Sequence, residues 1–194
     1  MTETIAHPSI TRIVDGIEVP LAGTYSLDAS HSHVGFAVRH LMVSKVRGQF
    51  TKFSGTVDIA ADPAESSVEV EVDLASIDTN DEKRDAHLRS NDFFDTESHR
   101  TMTFRSTGVR RGKGDRWILA GDLTLNDVTR PVDLEVSYEG AASTPWGATS
   151  IGFSAIGKIN REDFGVNWNQ ALEAGGFLVG KDVTLEIEAE AVLQ

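Results

Sequence analysis

The sequence lacks cysteine entirely and has few prolines, five among 194 residues. Without cysteine there can be no disulfide bonds, no thiolate metal sites and no cysteine nucleophile. The absence does not identify a compartment, because an oxidising location permits disulfides without requiring them. The chain also lacks internal repeats, low-complexity tracts and Pro/Gly-rich linkers. Its length fits one domain, or a domain with a small appendage.

Positive charge is also scarce. Thirty Asp and Glu residues stand against eighteen Lys and Arg residues, which leaves a formal net charge of −12. A molecule with this overall charge repels phosphate backbones and anionic membranes. We therefore expect no nucleic-acid partner.

Long apolar runs are missing too. No stretch approaches the ~20 apolar residues of a membrane-spanning helix, so we expect no integral membrane segment. The first 23 residues, MTETIAHPSITRIVDGIEVPLAG, show neither a basic region nor an apolar core of signal-peptide length. A cytoplasmic location is the expectation that follows. Residues 1–22 are predicted to form an N-terminal arm, and residues 23–194 the domain.

Two-residue periodicity is what the sequence has in abundance. Residues 67–76 (SVEVEVDLAS) and 182–192 (DVTLEIEAEAV) alternate apolar and acidic side chains. Such alternation is typical of strands that bury one face, and it favours an antiparallel sheet. About eight strands are predicted, which suits an up-and-down barrel or a sandwich. The other strand candidates are 33–40, 48–60, 101–109, 117–125, 131–138 and 149–159.

One clear helix interrupts the strands. Residues 79–90 (TNDEKRDAHLRS) place Thr79 and Glu82 at capping-box spacing and continue with good helix formers. A second short helix or loop is expected near residues 160–165 and 169–176. The fold class predicted from the pattern is thus all-β with one or two short helices.

A histidine-rich stretch, residues 28–40 (DASHSHVGFAVRH), invites a metal or catalytic interpretation. His31 and His33 would share one face of a strand, but His40 has the opposite parity. A three-histidine metal site would therefore need a bulge, and we predict no metal ligand here. No nucleophile elbow or other catalytic constellation is present either, so we predict no catalytic residue. Polar residues that hydrogen-bond at a strand end are the favoured alternative.

A third interpretation is a ligand pocket. Polar residues in this stretch and in HLRSNDFFD (87–95) lie close in sequence to aromatic and soft apolar residues. A polar rim above apolar side chains describes a pocket for an amphiphile.

Four segments carry a family resemblance. They contain the patterns D-x-x-H-S, H-L-R-S-x-D-F-F-D, G-x-L-T-L-x-x-V-T-R-P-V and R-x-D-F-G, in that order. With these motifs, the chain from about Gly23 to its end resembles the YceI-like family, a group of bacterial lipocalin-like, polyisoprenoid-binding proteins. The residues that match are Asp28, His31 and Ser32, then Leu88, Arg89, Ser90, Asp92 and Phe93, and then Arg161, Asp163, Phe164 and Gly165.

The resemblance implies an eight-stranded antiparallel lipocalin-like barrel around an apolar tunnel. It also implies non-enzymatic binding, sequestration or transport of a long isoprenoid-type lipid, such as an isoprenoid quinone, its precursor or a similar amphiphile. Many relatives are exported to the periplasm, whereas this chain shows no export signal. No cofactor is expected beyond the bound lipid. The alternative function is a metal- or histidine-dependent enzyme acting on a hydrophobic substrate. A homodimer is also expected, because it would cover strand edges.

Two sets of residues are predicted to contact the lipid. The apolar tunnel would be lined by Phe36, Val38, Leu41, Met42, Phe50, Phe93, Met102, Phe104, Leu123, Phe153, Phe164 and Trp168. The polar mouth would be formed by His31, His33, Arg39, His40, Asn91 and Arg161.

Overall fold

The computed structural model describes residues 9–173 and 175–194. Its strands are β1 (Thr11–Val14), β2 (Ile17–Pro20), β3 (Gly23–Leu27), β4 (His33–His40), β5 (Ser44–Phe50), β6 (Phe53–Ile59), β7 (Ser67–Asp73), β8 (Ile77–Asp78), β9 (Thr101–Arg111), β10 (Trp117–Leu125), β11 (Val128–Ser143), β12 (Thr149–Asn160) and β13 (Val179–Leu193). The helix α1 spans Glu82–Arg89. Three short 3-10 helices span Pro63–Glu65, Leu74–Ser76 and Arg161–Phe164.

Eight strands close into an antiparallel barrel in the order β3-β6-β7-β9-β10-β11-β12-β13, because β13 pairs with both β12 and β3. This confirms the predicted fold. The alternation in β7 shows why the sequence folds this way: Val70 and Val72 face the interior, while Glu69 and Glu71 are exposed. Strand β7 thereby buries its apolar side and exposes its acidic side.

One side of the barrel is split. Strand β13 pairs with β4 up to Glu188 and with β3 from Ala191 onward. Residues 28–32 connect β3 to β4 at this split, and β4, β5 and β8 extend the sheet beyond the closed barrel. The histidine-rich stretch therefore begins at a bend rather than within a regular strand.

Helix α1 begins with a different cap from the predicted one. The side chain of Asp81, not Thr79, accepts hydrogen bonds from the backbone N–H groups of Lys83 and Arg84. Asp81 suits this position because its extended backbone aims a short carboxylate at the free N–H groups of the first turn. Thr79 instead hydrogen-bonds the buried Asp85, which ties the helix to β8.

One end of the barrel, called the closed end here, is filled by apolar side chains from α1, the residues that follow it and the Arg161–Phe164 helix. The fully buried side chains in this region include Leu74, Ile77 and Phe164, each with at most 1% exposure. The ring of Trp168 packs on His87 and Phe93, with centroids 4.7 and 5.3 Å away. The closed end is therefore a packed hydrophobic core.

The opposite end, called the hairpin end here, is covered by β1 and β2. Val19 and Pro20 are buried there, and Arg12 donates to the carbonyl oxygens of Ala60 and Ala61 in the loop after β6. The part of the predicted N-terminal arm that the structure describes, residues 9–22, is thus packed on the barrel. Across residues 9–173 and 175–194, we find no helix long and apolar enough to span a bilayer.

Candidate functional site

The barrel encloses an apolar cavity of about 230 Å³ between the closed end and the hairpin end. For scale, an apolar cavity of about 150 Å³ is enough to hold benzene. Side chains from most barrel strands line it, together with Val19 and Pro20 of the hairpin. The inward-facing side chains therefore leave a space that a hydrocarbon can occupy.

The cavity exists because the side chains around it are short. An eight-stranded barrel is just wide enough for side chains to fill its interior. Here the lining is dominated by residues that are too short to meet across the barrel axis. They include Val57, Val68, Val70, Val109, Val132, Val136, Gly55, Ala155 and Ala189.

One residue of this apolar lining carries a buried polar group without a partner. The hydroxyl of Tyr138 is buried and has no hydrogen-bond partner, and it is the only such side-chain atom among the described residues that line the cavity. Burial raises the pKa of Tyr138 to about 12, with a smaller contribution from the charge of Glu18. The hydroxyl is therefore a neutral donor at physiological pH. Glu188 also belongs to the lining, whereas no lysine, arginine or histidine of the described chain does.

The predicted tunnel residues fall into two groups. Six of them line the cavity: Phe36, Phe50, Met102, Phe104, Leu123 and Phe153. The other six lie elsewhere, for reasons that differ from residue to residue.

Three of these six lie in or near the hairpin formed by β4 and β5. Val38 pairs with Val46 and Val183 but does not reach the cavity. Leu41 and Met42 occupy the exposed turn between the two strands, where positive φ angles take both residues out of the strand geometry. The placement of Leu41 and Met42 in the interior was wrong.

The other three fill the closed end. Phe93 and Phe164 are buried in the packed core, and Trp168 packs against that core. None of the three contributes to the cavity lining. All three pack in apolar surroundings, as predicted, but they close the end of the barrel and do not line its cavity.

The six predicted mouth residues do not come together. His31, His33, Arg39 and Asn91 are exposed, and His40 is half-buried at the end of β4. Arg161 is buried and donates to the carbonyl oxygens of Val166 and Gly180, so it fixes the closed end to β13, and burial lowers its pKa. None of the six lines the cavity. The expectation of a common polar mouth built from them was wrong.

The bend between β3 and β4 holds a small polar cluster. Nδ1 of His31 lies 2.8 Å from Oδ2 of Asp28, and both residues lie close to Glu190. Hydrogen bonds from Ser30, and then from His31, lower the pKa of Asp28 to about 2. The same hydrogen bond with Asp28 raises the pKa of His31. Because the cluster does not line the cavity, its evident role is to fix the bend.

This coupling makes a prediction about titration. The raised pKa of His31 contributes stability that is fully present below the unfolded pKa of about 6.5 and is lost as pH rises through the folded pKa. The lowered pKa of Asp28 contributes stability that is present above about pH 3.8 and is lost as pH falls toward about 2. NMR titration of His31 should give a pKa above 6.5, and Asp28→Asn should return it toward 6.5. An unchanged pKa in Asp28→Asn would contradict the assignment.

Comparison with known proteins identifies the architecture. The model of the YceI-like domain matches residues 25–191. The chain belongs to the YceI-like family. A UPF0312 protein of Photorhabdus laumondii is 42% identical over 147 residues, which are 74% of this chain and 76% of the relative.

Solved YceI-like structures share this fold. The YCEI protein of Campylobacter jejuni is 31% identical, with a TM-score of 0.68 over 80% of this chain and 90% of the other. A polyisoprenoid binding domain from Saccharophagus degradans gives a TM-score of 0.67 at 17% identity, over 88% and 98% of the two chains. At that identity, the second similarity is one of fold.

In this YceI-like chain, the sequence motifs build the frame of the site more than its lining. Asp28 and His31 of the first motif fix the bend, while Phe93 and Phe164 of two later motifs seal the closed end. Sequence reasoning missed Tyr138, although strand parity could have found it. In residues 131–138, Val132, Leu134, Val136 and Tyr138 share one face, and all four line the cavity.

Proposed function

We propose that this YceI-like protein binds a long-chain isoprenoid-type lipid inside its barrel, without catalysis, and sequesters or carries it. The observation that supports this most is the cavity inside the barrel, which has an almost wholly apolar lining. The similarity of fold to a polyisoprenoid binding domain, that of Saccharophagus degradans, agrees with the proposal. The cavity volume of about 230 Å³ holds the end of such a chain but not its whole length. Each methylene that the chain buries there would contribute ~0.8 kcal/mol gross, from which ordering and association costs are subtracted.

We further propose that the lipid carries a neutral head group with a hydrogen-bond acceptor. The hydroxyl of Tyr138 is a buried donor without a partner, and such a group gains a hydrogen bond when an acceptor arrives. A quinone carbonyl meets this requirement. A phosphate would enter a lining that offers it no cation among the described residues and places Glu188 nearby. Burial of an unpaired charge is strongly unfavourable, so a prenyl phosphate fits poorly.

Equilibrium binding tests the function itself. Displacement of a fluorescent apolar probe should show saturable binding of a prenyl quinone, with one site per chain. A prenyl phosphate of the same chain length should bind at least roughly tenfold more weakly, because its charge is desolvated without a partner. No saturable uptake of either lipid would contradict the proposed function.

Removal of the Tyr138 hydroxyl tests the head-group assignment. We expect Tyr138→Phe to weaken binding of a prenyl quinone by about fivefold to tenfold, the value of one hydrogen bond of about 1 kcal/mol. Binding of a prenyl hydrocarbon without a head group should not change. Tyr25→Phe is the matched control, because the hydroxyl of Tyr25 donates to the carbonyl of Leu21 and Tyr25 lies outside the lining. Equal quinone affinity in wild type and Tyr138→Phe would contradict the assignment.

A further inference from the structure

The turn between β4 and β5 exposes three apolar side chains in a row. Leu41, Met42 and Val43, called the β4–β5 tip here, have exposed fractions of 39%, 61% and 81%. They stand at the end of a hairpin that projects from the closed barrel as part of the β4-β5-β8 extension. Scattered exposed apolar residues are ordinary, but a contiguous exposed group marks an interaction site.

The backbone of the tip is unfavourable for these residues. A hydrogen bond from the N–H of Val43 to the carbonyl of His40 closes the turn, and its two central residues, Leu41 and Met42, have φ angles of 52° and 60°. Turns of this kind favour Asn-Gly, because a bulky side chain at positive φ is strained. The other non-glycine residues at positive φ in residues 9–173 and 175–194 are Asp15, Asn80, Asp95, Asn126 and Asp127. Leu41 and Met42 thus carry backbone strain without burial that would offset it, which is a mark of function.

A second unfavourable arrangement flanks the tip. Arg39 and Lys45 lie directly opposite each other on β4 and β5, and both are exposed. Like charges in this position destabilise a strand pair. Within the part of the chain that the structure describes, neither forms a salt bridge, whereas Arg47 pairs with Glu186 at 3.6 Å. Among the described residues, the tip therefore presents two cations that have no carboxylate within ion-pair distance.

The charge around the tip differs from that of the whole molecule. Residues 29–57 contain four Lys and Arg residues and no Asp or Glu, although the chain as a whole carries −12. The neighbouring segment adds another apolar group, because Leu41 donates to the carbonyl of Leu178, and the adjacent Phe177 is 52% exposed. This segment, residues 169–178, contains one acidic residue, Glu173.

From these observations we infer that the β4–β5 tip docks on an anionic phospholipid surface. Leu41, Met42 and Val43 enter the boundary between head groups and acyl chains, and Arg39 and Lys45 contact the lipid phosphates. Apolar insertion together with cations provides the two signals that stable peripheral binding needs. The acidic remainder of the molecule is repelled by the same surface, so the net charge orients the protein tip-first. A second copy of the chain fits less well, because a two-fold axis at the tip would bring cations against cations.

The decisive variant combines Leu41→Asn with Met42→Gly. The favoured turn residues should raise the melting temperature, because the strain at positive φ is relieved. The same variant should lose at least roughly tenfold in binding to vesicles of phosphatidylcholine mixed with phosphatidylglycerol. Sedimentation with vesicles measures the binding. A variant that melts higher and no longer sediments supports the proposal, since a purely structural turn would not lose binding as it becomes more stable.

Charge supplies the second test. Arg39→Gln with Lys45→Gln should weaken binding to the mixed vesicles by about fivefold per charge, and added salt should do the same. Pure phosphatidylcholine vesicles should bind the wild type weakly. Ile156→Ser is the matched control, because Ile156 is 59% exposed on β12, on the barrel wall. This variant should bind like the wild type.

Three results would overturn the inference. The first is a wild type that does not sediment with the mixed vesicles. The second is a variant with Leu41→Asn and Met42→Gly that binds them as well as the wild type does. The third is that light scattering shows the wild type as a dimer and this variant as a monomer, while neither binds vesicles. The tip would then be a site of self-association. Each of them leaves the proposed lipid binding inside the barrel to be judged by its own measurements.

Discussion

Ala155→Phe should weaken the binding of a prenyl lipid by roughly a thousandfold. Ala155 lies on β12 with its side chain in the cavity lining, opposite Val136 of β11. A phenyl ring there would displace about five methylene-sized groups of the ligand. At ~0.8 kcal/mol each, the loss is about 4 kcal/mol. Titration with a prenyl quinone measures the change.

The neighbouring residue provides the matched control. Ile156 follows Ala155 on the same strand but is 59% exposed on the outer face of the barrel. Ile156→Phe places the same ring in solvent, so binding should remain within about twofold of wild type. Because Ala155→Phe fills a void rather than creating one, its apo form should stay folded, with a melting temperature close to that of the wild type. Equal affinities in the two variants would show that the lipid does not occupy the cavity.

Asp85→Ala should lower the free energy of unfolding by about 3 kcal/mol. The carboxylate of Asp85 accepts hydrogen bonds from the N–H and the hydroxyl of Thr79, at 2.9 and 2.5 Å. Asp85 and Thr79 are both buried, with exposed fractions of 7% and 4%. Without Asp85, two buried donors lose their acceptor, and each such loss costs about 1–3 kcal/mol. Urea denaturation measures the change.

Glu82→Ala is the control for this prediction, because Glu82 is exposed in the first turn of the same helix. Its loss should change the free energy of unfolding by less than about 0.5 kcal/mol. A cost below about 1 kcal/mol for Asp85→Ala would mean that the link between α1 and β8 does not hold the closed end. The link matters for function because the packed closed end limits how deep a ligand can lie.

Strand parity explains how much of the interior the sequence could predict. The alternation in residues 67–76 and 182–192 assigned their apolar side chains to the inner face, and Val70, Val72, Leu185 and Ile187 do line the cavity. Parity does not reveal the height of a residue along the barrel. Phe93 and Phe164 were therefore indistinguishable from lining residues, although they belong to the closed end.

The turn residues show a second limit. Leu41 and Met42 look like core residues by type, and the sequence offers no Asn or Gly that would announce a turn with two positive φ angles. Only the paired register of β4 and β5 places them outside. The position of the histidines was mispredicted for the opposite reason. Their polar character suggested a mouth, whereas His31 completes a local hydrogen-bonded bend with Asp28.

Native mass spectrometry with a prenyl quinone tests the central claim most directly. Detergent-free protein incubated with the quinone should retain one lipid per chain, and Ala155→Phe, treated in parallel, should retain almost none. Ile156→Phe should retain as much as the wild type. A wild type that carries no lipid under these conditions, or three proteins that carry equal amounts, would contradict a lipid-binding cavity inside the barrel.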